Sequence, residues 1–138
     1  MPRRDKHSTK KARQDQVRAQ AEGLPKLSET LLHFAKPLLD TLPNPPAIEE
    51  LRQLMTIVTV LWNLPLYEQR KNPAAASYRA TFDTMLERLP PDIAKIVTAM
   101  LYSRLTTYAH DPRLGFADVV EDGHGRAQVV ATAALTDD

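Results

Sequence analysis

Between Ile48 and Trp62, apolar side chains recur at Ile48, Leu51, Leu54/Met55, Val58 and Leu61/Trp62, the three-and-four spacing of one face of an α-helix. A chain with such a segment must bury that stripe against something. Ile57 and Val60 widen the face, so the helix, expected over about residues 47–63, needs neighbours on two sides and belongs at the centre of a domain. Glu49 and Glu50 in its first turn suit the positive end of the helix dipole.

The flanking sequence supplies the neighbours. A first helix is expected from Ser28, a good N-cap residue, carrying Leu27, Leu31, Phe34, Ala35, Leu38 and Leu42 at helical spacing. Pro37 interrupts that pattern and predicts a kink or break just before it. The turn Pro43-Asn44-Pro45-Pro46 ends the segment. Residues 64–76, rich in Pro, Lys, Arg and small side chains, read as a linker. A third helix over about residues 77–89 would pack Tyr78, Phe82, Met85/Leu86 and Leu89. Pro91, suited to a first helical position, opens a fourth over about residues 91–108, with Ile93, Ile96/Val97, Met100/Leu101 and Leu105 inward.

The texture changes after His110. Residues 114–121 and 126–135 are enriched in Val, Ala and Thr and flank Asp122-Gly123-His124-Gly125, which predicts a β-hairpin. A two-stranded ribbon is marginal alone in water, so it must lie on the helices or find another strand. The expected fold is mainly α: a four-helix domain with a C-terminal β-hairpin, preceded by a basic N-terminal arm.

That arm is residues 1–26, and residues 27–138 form the domain. The arm holds Arg3, Arg4, Lys6, Lys10, Lys11, Arg13, Arg18 and Lys26 against Asp5, Asp15 and Glu22, a net charge of +5, while the rest of the chain carries −4. Residues 5–22 include only one sizeable aliphatic, Val17, so no apolar stripe can hold them, and a frayed helix or disordered tail is expected. Such a segment fits a polyanion or an acidic protein surface. Arg3, Arg4, Lys6, Lys10, Lys11, Arg13 and Arg18 are the candidate polyanion-binding residues. The arm offers no aromatic ring for base stacking.

Other chemistry is weakly signalled. The chain has no cysteine, which excludes disulfides, thiolate nucleophiles and Cys-ligated zinc or iron–sulfur sites. His7, His33, His110 and His124 form no His-x-x-x-His pair, so neither a metal site nor a cofactor is expected. His110 and Asp111, with Asp118, Glu121 and Asp122 nearby, are the nearest approach to an acid/base cluster. They read equally as turn residues. Asp122-Gly123-His124-Gly125 lacks the Lys-Ser/Thr of a phosphate-binding loop. Trp62 and Asn63, with Tyr67 beyond, could wall a ligand pocket or simply be core, the indole N–H meeting a local acceptor. No catalytic residue is assigned. No run approaches the ~20 apolar residues of a spanning helix, and no apolar h-region follows the charged N-terminus, so a cytoplasmic protein without membrane contact is expected.

Leu27-Ser28-Glu29 through Leu32, Phe34-Ala35, Pro37-Leu38-Leu39, Ile48-Glu49-Glu50-Leu51 and Val60-Leu61-Trp62-Asn63 together resemble a group of small bacterial proteins that also carry a basic leader. The resemblance spans roughly residues 27–63 and implies a bacterial, cytoplasmic protein, with no activity attached. The favoured function is a non-enzymatic binding or adaptor protein, its arm meeting nucleic acid or an acidic protein. The alternatives are a small hydrolase-like enzyme using His110 with nearby carboxylates, and a homodimeric module joined through the hairpin.

Overall fold

A computed structural model describes residues 24–121 and 123–134. Four helices, α1 (Leu27–Leu39), α2 (Ile48–Gln69), α3 (Ala74–Arg88) and α4 (Pro91–Leu105), precede an antiparallel hairpin of β1 (Leu114–Glu121) and β2 (Ala127–Ala134). The fold class expected from periodicity and turn chemistry is the one observed. α2 is the central element, packing against the other three helices and β1, and β2 rests on α1. None of the described helices is long and apolar enough to cross a membrane.

Two prolines that should interrupt helices sit inside them. Pro37 lies within α1 and Pro65 within α2. Each removes one main-chain donor and crowds the carbonyl four residues back, a cost of about 3 kcal/mol. The linker expected from residue 64 instead begins after Gln69, because Leu64, Pro65, Leu66 and Tyr67 are all buried. Leu66 and Tyr67 build a second apolar cluster with Leu114, and at about 1.5–3 kcal/mol per large apolar side chain that burial outweighs the proline. Continuing the helix is what delivers these side chains to the hairpin's base.

α2 ends in a Schellman cap. The Asn72 N–H donates to Tyr67 O at 3.0 Å and the Lys71 N–H to Glu68 O at 3.2 Å, which places Lys71 in the left-handed region at φ 54°. Glycine is the usual residue there. Lys71→Gly should therefore raise stability, by up to about 1 kcal/mol, seen as a higher denaturant midpoint with unchanged slope. Asn72 Oδ1 then accepts from the Ala74 N–H at 2.7 Å, starting α3 at once.

The register Phe116↔Thr132, Asp118↔Val130 and Val120↔Gln128 puts these pairs on the outer face, and Gly115, Ala117, Val119, Val129 and Ala131 toward the helices. Small inner residues let the strands approach closely. A Cβ at Gly115 would stand 3.3 Å from side-chain atoms of Leu27, Leu31 and Trp62.

The helical phase of α4 differs from expectation in one consequential place. Val97, Met100 and Arg104 are its buried residues, at i, i+3 and i+7 on one face. Leu105, read from the sequence as core, is 51% exposed, whereas Arg104 is 2% exposed. One position of phase thus exchanges a leucine for a guanidinium in the interior.

Candidate functional site

Residues 106–113, between α4 and β1, are irregular, and their main-chain groups need partners wherever they are buried. Some are main chain, as where the Asp111 N–H donates to Tyr108 O at 3.1 Å, and the others are side chains. Arg104, on the last turn of α4, donates from Nε to Trp62 O at 2.9 Å, from Nη2 to Asp111 O at 3.0 Å, and from Nη1 to Tyr108 O. Arg70, at the end of α2, donates from Nη2 to Pro112 O. Arg113 donates from Nη1 to Pro25 O at 2.7 Å. Five main-chain carbonyls are thereby held by three guanidiniums.

Among the described residues one acid, Asp111, sits against these three cations. Arg113 forks onto Asp111, Nη2 to Oδ2 at 2.7 Å and Nε to Oδ1 at 3.0 Å, while its own N–H reaches Oδ1 at 3.1 Å. Both residues are buried, so this is a desolvated, bidentate pair. Burial lowers the Arg104 pKa to about 10, opposed by the Asp111 carboxylate and reinforced by Arg70 and Arg113. The guanidinium therefore keeps its charge at neutral pH.

Trp62 is the floor of the cluster. The Arg104 Cζ stands 3.8 Å from the centroid of its ring, within the range of a cation–π contact. Its indole N–H donates to Arg113 O at 2.7 Å. Phe34, Trp62 and Tyr108 meet edge to face, with centroids 5.3, 5.5 and 5.6 Å apart. Burial raises the Tyr108 pKa above its usual value. Next along α2, Asn63 plays the part of a missing strand, with Nδ2 donating to Gly115 O at 2.9 Å and the Gly115 N–H donating to Oδ1 at 2.8 Å.

The sequence-derived candidates are distributed as follows. Arg3, Arg4, Lys6, Lys10, Lys11, Arg13 and Arg18 lie outside the described residues. Trp62 is core, with its N–H on a local acceptor. His110 is exposed while Asp111 beside it is buried and turned to Arg113. Asp118 accepts from the Val119 N–H at 2.7 Å, and among the described residues no hydrogen bond joins His110 to Asp111, Asp118 or Glu121. Among the described residues no group of three or more His, Cys, Asp or Glu is placed to hold a metal ion.

Arg70, Arg104 and Arg113 escaped the sequence reading, because arginine is ordinarily a surface residue. The one available signal was the phase of Val97, Met100 and Arg104. What the cluster can do chemically is orient main chain: its donors are aimed at carbonyls, at one carboxylate and at the Thr30 hydroxyl, and it joins the helices to the base of the hairpin. The described surface also holds open grooves, of about 560 Å³ along α3 beside Thr81, Met85 and Leu89, about 320 Å³ between Thr59, Tyr78 and Ala117, and about 260 Å³ between Phe34, Met100 and Tyr108. Comparison with known proteins finds no family model, curated protein or solved structure that matches the chain.

Proposed function

We propose that this chain is a non-enzymatic binding protein, bacterial and cytoplasmic, in which a helical domain carries a basic arm that attaches to the backbone of a nucleic acid. The observation that carries the reading is the segregation of charge, +5 over residues 1–26 against −4 over the remainder. Cations gathered on a separate segment meet phosphates without the domain's own acids competing, since charges more than about 8 Å apart are largely screened at physiological salt. The geometry of the domain supports this division. Arg104 and Arg113 are buried and donate to the domain's own carbonyls, so these two domain cations are already engaged within it.

The test is binding to labelled duplex and single-stranded oligonucleotides as a function of salt. The full chain should bind without sequence preference, and log K should fall linearly with log salt. Changing Lys10, Lys11 and Arg13 together to Ala should weaken binding equally across sequences. For each phosphate that is no longer neutralised, the salt slope should drop by up to about 0.9 on duplex and about 0.7 on single strands. Binding that ignores salt, that survives the triple substitution intact, or that is absent even at low salt would refute the reading.

A further inference from the structure

The two edges of the hairpin are treated differently by the rest of the molecule. On β1, Asn63 bonds both main-chain groups of Gly115, and Arg52 Nη2 donates to Val119 O at 3.3 Å. Gly115 and Val119 therefore direct their N–H and C=O away from β2. In an antiparallel pair, directly opposed residues alternate between hydrogen-bonded and non-hydrogen-bonded positions. The register partners Ala133 and Val129, and with them Ala131 and Ala127, must likewise direct their main-chain groups away from β1.

Among the described residues nothing donates to or accepts from those outward groups. The side chains of α2 blunt the β1 edge, and among the described residues no such device guards β2. Exposed strand edges are ordinarily protected by Lys, Pro or inward-pointing charge. Residues 127–134 read Ala-Gln-Val-Val-Ala-Thr-Ala-Ala, with no charge and no proline. A neutral edge has nothing to attract a charged partner, and it meets no like-charge repulsion from a copy of itself. Its outer face also exposes apolar side chains among Gln128, Thr132 and Asp118, with Val130 44% exposed and Phe116 on β1 42% exposed.

We propose that two copies of this chain pair through the outer edges of β2 into a four-stranded antiparallel sheet, with Val130 on the two-fold axis. Pairing Val129 with Ala131 of the second copy, and Ala127 with Ala133, engages the outward N–H and C=O of all four residues at once. It is the register that does so symmetrically, as an isologous interface requires. Val130 then faces Val130 of the second copy at a non-hydrogen-bonded position, and Gln128 faces Thr132. The inference stands independently of the arm's role.

The parity of the edge makes the test specific. The Ala131 N–H points away from β1, so Ala131→Pro removes a donor that the hairpin itself does not use, and proline is tolerated on edge strands in that position. Wild-type protein at tens of micromolar should sediment at twice the 15.5 kDa chain mass. Ala131→Pro should shift it to a single chain with an unchanged far-ultraviolet circular dichroism spectrum. Because the chain has no cysteine, Val130→Cys introduces a lone thiol at a spacing of about 4.5 Å between opposed Cα atoms, within disulfide reach. It should cross-link under mild oxidation at least ten-fold faster than Glu87→Cys, an exposed site on α3. Should Ala131→Pro fail to fold, the cross-linking comparison decides. A wild-type monomer, as would follow if the arm covered the edge within one chain, overturns the proposal. So does cross-linking at Val130 no faster than at Glu87, or a dimer that persists in folded Ala131→Pro.

Discussion

Replacing Arg104 with Met should destabilise the domain by about 3 kcal/mol, read as a fall in the denaturant midpoint at unchanged slope. Methionine fills most of the volume but donates nothing. The Asp111 carbonyl then loses its donor, and an unsatisfied buried acceptor costs about 1–3 kcal/mol. The carbonyls of Trp62 and Tyr108 each lose a charged donor but keep a main-chain one, the helical bond on Trp62 O and the Asp111 N–H on Tyr108 O. Part of that loss is offset, because a charge held out of water is removed with the side chain. Against the roughly 5–15 kcal/mol that holds a domain together, the remainder is large. An Arg104→Met protein as stable as wild type would mean that water reaches these carbonyls and that the guanidinium is dispensable.

Trp62→Ala should cost on the order of 3–5 kcal/mol. The ring is fully buried, it is the surface on which Arg104 stacks, and its N–H holds Arg113 O. Truncation therefore opens a cavity, orphans a carbonyl and exposes one side of a buried cation together. Because the two side chains touch, the losses in a Trp62→Ala, Arg104→Met double variant should not add, with a coupling of about 0.5–3 kcal/mol. Additive losses would show that the stacking of the two side chains contributes nothing, and a Trp62→Ala protein of undiminished stability would remove Trp62 from the core altogether.

Much of the architecture was legible along the chain, for a physical reason. The stripe from Ile48 to Trp62 has to be buried whatever packs on it, and the Val-, Ala- and Thr-rich runs around Gly123 and Gly125 have no helical stripe to offer. Periodicity is a local property, so it reports helices and strands without knowledge of what they meet. The prolines illustrate its limit. Pro65 carries a local cost that any window of sequence would register, but the compensating burial of Leu66 and Tyr67 involves Leu114, far along the chain.

The candidate site was legible in only one member. Trp62 could be placed in the core from its phase on α2. Arg104 and Arg113 could not, since a guanidinium is buried only where carbonyls and a carboxylate converge on it, and that convergence exists only once residues 25, 62, 108 and 111 are brought together.

The sequence by itself determined the separation of charge between arm and domain, the order of the four described helices, and the hairpin, because composition and periodicity act within a few residues. The tertiary structure alone decided which side of α4 faces inward, how far α2 runs past Pro65, and which edge of the hairpin is closed. Each of those depends on partners distant in the chain, where buried main-chain groups take whichever donor or acceptor the packing brings within reach.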